Sequence, residues 1–212
     1  MFALVESGSI TKMLRGNKGI TIGDNQYPAA VFSLWSESER NAIGIYTIEI
    51  DSTNKKSEEW YINTNITYAY DSSANKVKGT YGTATAKDIT DIKWTQSEID
   101  AGKAPNGADT NTLKDEGLKT ILIREVKKQA ENELNKTDWY VVRKAEEDTA
   151  IPSTITTHRK AVRTKQAEME TAITNASDTP ALETLYTFVN TASEGDPVVM
   201  ERPIGEIPTL ED

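Results

Sequence analysis

The stretch TDWYVVRKAEEDTAIP, Thr137–Pro152, followed by Arg159 and Arg163, decides the architecture of the C-terminal half. Asp138 to about Glu147 reads as a helix, and Ile151-Pro152 breaks it. Proline has no backbone N–H to donate and pushes the residue before it out of helical conformation. Towards the N-terminus, Leu118, Ile121, Leu122, Val126, Ala130 and Leu134 recur at helical spacing and form one apolar stripe. Towards the C-terminus, Ile155, Val162, Met169 and Ile173 mark a further helix that ends near Asn175. Thr179-Pro180 reads as an N-cap with proline in the first turn, and Leu182, Leu185, Tyr186 and Val189 give the helix that follows an apolar face. Residues 113–194 are therefore a helical module. Residues 195–212 carry Pro197, Pro203 and Pro208 among Met200, Ile204, Ile207 and Leu210. Such a segment disfavours helix and central strand. It predicts an extended tail lying on its own body or on a neighbour.

The N-terminal half has a different period. Phe2–Glu6 and Ile10–Leu14 flank the turn signal Ser7-Gly8 and predict a β-hairpin. Ile20–Ile22 is a further short strand. Ser36 and Glu39 form a capping-box pattern that starts a short helix from Glu37 to Ile43, with Gly44 as its stop. Ile45–Ile50 alternates as a strand with Tyr46, Ile48 and Ile50 on one face. Glu59–Ile62 and Ile66–Tyr70 are expected to pair, and Val77–Ala86 supplies one more strand. The chain thus reads as α+β. Residues 1–95 form an antiparallel β domain with one short helix, and 96–112 form a linker rich in turn residues, including Gly102, Pro105 and Gly107.

Composition narrows the function classes. The chain has 212 residues, enough for one large domain or two small ones, and a net charge of −9. That balance argues against duplex nucleic acid as a partner, because such a partner calls for an excess of Lys and Arg to displace counterions. There is no cysteine, which removes disulfides, thiol nucleophiles and thiolate metal sites and fits a reducing compartment. No apolar run approaches the ~20 residues of a membrane span, so membrane insertion is not expected. The N-terminus lacks the basic start and long apolar stretch of a signal peptide.

Motifs for chemistry are sparse. His158 is the single histidine and sits in a basic stretch, where a surface or helix–helix contact is the expected role. No nucleophile elbow accompanies it. Glu146-Glu147-Asp148 is a dense acidic run that reads as a solvated helix end, without the aromatic cleft of a glycosidase. Arg15–Gly19 lacks the ending of a phosphate loop, and Asp109, Asp115 and Glu116 do not have calcium-loop spacing. No catalytic residue, metal ligand or cofactor is assigned. Arg159 and Arg163 share a helical face, and Arg143 and Glu146 lie three apart on the preceding helix. Two readings stay open for them. One is an ion-pair network over Trp139 that ties the helices together; the other is a patch that grips a partner's carboxylates. In the N-terminal sheet, Tyr46, Trp60, Tyr61, Tyr68 and Tyr70 are of the types enriched at interfaces. About half of them are expected in the core instead.

Asp138-Trp139, Arg143, Glu146, Pro152, Arg159 and Arg163 together resemble the C-terminal module of phage tail-fibre assembly proteins. In that family an aromatic residue commonly precedes the position matched by Arg159; here it is His158. Tyr27-Pro28, Leu34-Trp35-Ser36 and Ala42–Tyr46 resemble the small domains that open many phage tail proteins, and the chain's general character is similar to tail proteins of marine phages. The motifs cover roughly a third of the chain. The resemblance implies a non-enzymatic assembly chaperone that binds the distal tip of a trimeric tail fibre in the host cytoplasm and in some cases stays on the virion. Trp60, Tyr61, Tyr68, Tyr70, Trp139, Arg143, Arg159 and Arg163 are the expected partner-binding residues, and the fibre or another tail subunit is the expected partner. The alternative is an integral virion subunit of the tail, baseplate or fibre attachment that locks onto neighbours, or onto copies of itself, through its C-terminal arm. A carbohydrate-active enzyme is a weaker third idea, because no acidic pair stands out.

Overall fold

The computed structural model describes residues 1–210 and shows an α+β protein with two compact units, Met1–Thr85 and Ala86–Asp212. In the first unit, β1 (Phe2–Glu6) and β2 (Ser9–Leu14) form the expected N-terminal hairpin. Ser7 and Gly8 both take positive φ, the backbone twist that a two-residue hairpin turn favours. A second hairpin, β3 (Ile20–Ile22) with β4 (Asn25–Tyr27), leads through α1 (Val31–Leu34) to α2 (Glu37–Ala42). The capping box of α2 is complete: the Glu39 backbone N–H donates to Ser36 Oγ at 3.3 Å, and the Ser36 backbone N–H donates to Glu39 Oε2 at 2.7 Å. After α2 come β5 (Ile45–Asp51), β6 (Tyr61–Ile62), β7 (Thr67–Asp71), β8 (Lys76–Thr80) and β9 (Thr85–Ala86) at the junction of the units.

The main sheet has the order β2-β1-β5-β8-β7 and is mixed rather than antiparallel. β5 and β8 run parallel, with Ile48 opposite Val77. β7 pairs with β8 and not with β6, through a turn in which Asp71 Oδ1 accepts from Ser73 and Ala74. The β7–β8 hairpin then docks on β5 through its second strand, which points the same way as β5. β1 is buried on both faces because its side chains alternate between two cores. Leu4 joins Leu14, Ile20, Val31, Phe32 and Ile45 on one side; Ala3 and Val5 join Ile48 and Val77 on the other.

The second unit begins ahead of the expected linker. β10 (Ile92–Lys93) pairs with β11 (Leu113–Asp115), and α3 (Gln96–Asp100) lies between them. The span 96–112 is thus part of the second unit, and 86–95 belongs there too. Backbone carbonyls of Asp88 and Ile89 accept from the first N–H groups of α4 (Leu118–Asn135), and the Lys87 carbonyl accepts from Thr179 Oγ1. Those bonds to the helical unit draw the boundary at residue 86.

α4, α5 (Asp138–Glu147), α6 (Ser153–Asn175) and α7 (Thr179–Tyr186) follow. Leu118, Leu122, Val126 and Ala130 of α4 and Ile155, Val162, Met169 and Ile173 of α6 are all buried. Lys119 at one end of α4 reaches the Thr174 carbonyl, and Arg159 reaches the Leu134 carbonyl at the other, so the pair runs antiparallel. Asp178, one residue earlier than expected, caps α7 by accepting from the Ala181 N–H at 2.8 Å. A short hairpin, β12 (Val189–Asn190) with β13 (Met200–Glu201), comes next. The extended tail then returns to its own body: Ile204 and Ile207 are buried, and the Ile204 N–H donates to the Leu185 carbonyl.

Candidate partner-binding surface

The joint between α4, α5 and α6 is built on Arg159. Its Nη1 donates to the Leu134 carbonyl at 2.8 Å and to Thr137 Oγ1 at 2.7 Å, and pairs with Asp138 Oδ1 at 2.8 Å. Thr137 is fully buried and Arg159 is 8% exposed. The Leu134 carbonyl belongs to the last turn of α4, where carbonyls lack an intrahelical partner and attract a cation. Arg159 therefore belongs to the interior and is corrected from a partner-binding residue to a positioning one. Arg163, one turn along, is exposed and has no ion-pair partner among the described residues. A four-residue step turns ~40° past a full circle. At the margin of the α4–α6 contact, that angle separates a buried guanidinium from a solvated one.

Of the expected network between α5 and α6, the Arg159–Asp138 pair is present, whereas among the described residues Arg143 makes no ion pair with Glu146 and Trp139 is not packed beneath. Trp139 is 51% exposed. Its ring lies 3.8 Å, centroid to centroid, from that of Tyr140, tilted by 32°. The Arg143 guanidinium sits 4.7 Å from the Trp139 ring centre and 5.4 Å from that of Tyr140, a cation–π arrangement in place of a pair with Glu146. Val142, 52% exposed, extends this face. None of the ten residues of α5 is buried, although the helix is amphipathic. Its other side, with Val141, faces α6 across a groove of about 420 Å³ whose lining includes Ile151, Arg159, Lys160 and Arg163.

The aromatics of the first unit sit elsewhere than expected. Trp60 and Tyr61 are each 4% exposed and cannot present a surface. Trp60 sits in the turn closed by its N–H and that of Tyr61 on the Ser57 carbonyl, just ahead of β6, and this turn sets both rings inward while Ile62, next along the strand, is exposed. Tyr68 and Tyr70 are half-buried against the Ala3–Val77 core. The Tyr46 and Tyr70 hydroxyls are hydrogen-bonded to each other at 3.1 Å, and this contact, with burial, raises the Tyr46 pKa. The eight expected residues thus split: Trp139 and the half-buried Arg143 lie on the outer face of α5, Arg163 is exposed at the groove on its other side, and the remaining five serve interiors wholly or in part.

Two features escaped sequence reasoning. The first is the apolar hairpin of the C-terminal arm, where Phe188, Val189, Val198, Val199 and Met200 are all exposed. The second is a cavity of about 370 Å³ between α4 and the returning tail, walled in part by Val126, Glu133, Met169, Arg202 and Ile204. At its edge the Lys136 ammonium donates to Glu133 and holds that carboxyl below its usual range. Among the described residues, no group of three or more His, Asp or Glu side chains is placed to hold a metal ion, and no helix is long and apolar enough to cross a membrane. No protein-family model, curated protein or solved structure matches the chain.

Proposed function

We propose that this chain is a non-enzymatic protein-binding component of a phage tail. It associates with a tail fibre in the host cytoplasm, assists fibre assembly at the distal tip, and contacts the fibre through the outer face of α5. One observation carries this reading: Trp139 and Val142 stand exposed together, with the half-buried Arg143 laid over the Trp139 ring, on a helix that buries none of its own residues. Tryptophan, tyrosine and arginine dominate the binding energy of protein interfaces. Leaving an apolar cluster in water, when the helix could turn it inward, is a cost that a partner offsets. The cluster falls within the stretch that resembles fibre-assembly modules.

Co-expression of the candidate fibre with the wild type and with a Trp139→Ala/Arg143→Ala variant tests the reading. Soluble, trimeric fibre rises with the wild type and falls to the chaperone-free level with the variant, while far-ultraviolet circular dichroism of the variant is unchanged. Equal fibre yield with both proteins removes α5 as the contact. An integral virion subunit is the second reading, and the exposed hairpin of the C-terminal arm favours it. Mass spectrometry of salt-washed particles separates the two, since a subunit is retained at fixed stoichiometry and a dissociating factor is not.

A further inference from the structure

The second unit exposes two apolar surfaces of opposite charge. One is the groove between α5 and α6, where Val141 and Ile151 form an apolar floor beside Lys160 and Arg163. Neither of those cations has an ion-pair partner among the described residues. The other is the β12–β13 hairpin. Val198, Val199 and Met200 are 70%, 46% and 52% exposed, and Glu194, Asp196 and Glu201 surround them. The hairpin is held in shape, not loose: the Thr191 N–H donates to the Val199 carbonyl at 2.8 Å, and Asn190 Oδ1 accepts from the Ala192 and Val199 N–H groups. Each surface stays exposed within one chain. A preformed apolar–acidic hairpin and an open apolar–basic groove are chemical complements, and the chain carries one of each.

We propose that the groove's occupant is the hairpin of a second copy of this chain. Val198 and Met200 cover Val141 and Ile151, and Glu194 and Asp196 approach Lys160 and Arg163. The contact is heterologous: the surface given is not the surface received, so each bound copy leaves one free hairpin and one free groove. Association then closes into a ring or continues as a filament. Val141 lies ~200° around α5 from Trp139. The contact therefore leaves the outer face of α5 free and does not depend on the fibre partner proposed above.

Sedimentation velocity of the full chain over a concentration series tests this. The wild type forms species larger than a monomer, and added salt weakens them. Val198→Ser/Met200→Ser removes the hairpin's apolar contact, and Lys160→Glu/Arg163→Glu reverses the groove. Each variant alone is monomeric at concentrations at which the wild type associates, a weakening of at least about tenfold. An equimolar mixture of the two yields a heterodimer that stops at two, because one intact groove meets one intact hairpin. Glu194→Lys/Asp196→Lys in one chain restores association with the groove-reversed chain. A wild type that stays monomeric throughout overturns the proposal. So does self-association that survives both variants, or a mixture that remains monomeric.

Discussion

Replacing Arg159 with alanine removes three polar contacts at once from a buried joint and leaves the Leu134 carbonyl and the Thr137 hydroxyl with only their local bonds to one another. The expected loss is about 2–3 kcal/mol, read as a lower urea midpoint of the helical signal, whereas Arg163→Ala stays within about 0.5 kcal/mol. From the sequence the two arginines look equivalent, since both obey the same helical spacing. Only the angle at which α6 meets α4 distinguishes them. Trp60 and Trp139 are the same residue type in opposite environments for a similar reason: local pattern places a side chain on a turn or a helix face but does not say what covers it. Acid sensitivity belongs to this scale too. Asp71, held down by Ser73, the Ala74 N–H and Lys78, and Glu98, held down by Lys114 and Thr95, both have pKa values of about 2. Each is depressed, so its support is complete above the ordinary carboxylate range and disappears as pH falls through that value. Amide hydrogen exchange in the β7–β8 turn, taken relative to the intrinsic rate at each pH, should increase between roughly pH 4 and 2, the span from ordinary to depressed carboxylate pKa. In Asp71→Asn that acid-dependent increase should be lost.

Among the elements, those with long or repeated patterns were readable. The α4 and α6 stripes, the N-terminal hairpin and the capped α2 all follow from periodicity or from the chemistry of a turn. α3 lies inside the expected linker, although Thr95 and Glu98 form the same capping box as Ser36 and Glu39. A helix of five residues has too few turns to show a period, and its acids look like linker. The pairing of β6 with β7 failed for a different reason. A short loop between two strand-like runs suggests a hairpin, but the Asp71 turn gave β7 a better partner in β8. Gly117 marks another constraint that composition hides. A Cβ there would lie 2.3 Å from the Thr90 carbonyl carbon, where α4 begins against the 88–91 segment. Gly117→Ala should therefore displace that segment from α4 and cost about 1–3 kcal/mol, with faster amide exchange at Leu118 and Lys119 as the readout.

Across the whole molecule, the division at residue 86 separates two kinds of core, a mixed sheet and a helical pair, each with its own buried residues. Unfolding should therefore proceed in more than one step. A cavity-forming Leu122→Ala should destabilise the helical unit by about 2–5 kcal/mol and leave the transition of the Met1–Thr85 unit in place. Urea denaturation followed by circular dichroism and by Trp60 fluorescence would show the two transitions parting. The α+β class and the N-terminal sheet/C-terminal helix order could be read from the chain, because the change of period is a property of sequence. The candidate surface was only partly readable. Trp139 and Arg143 stand out by residue type, but the apolar hairpin at 188–201 looked like part of an extended tail, since two-residue strands leave no alternating signature.

The tail is fastened on both sides of that hairpin: Ile204 is bonded to Leu185 and buried beside Ile207, while the hairpin's own base is closed by Thr191 and Val199. A protease that cuts between Ser193 and Asp196 would nick the chain without releasing its end, and the two pieces would migrate as one until denatured. The same geometry makes the tip a place where lineages can exchange or lengthen sequence at small cost to the fold, because loop length adds only slowly to closure entropy.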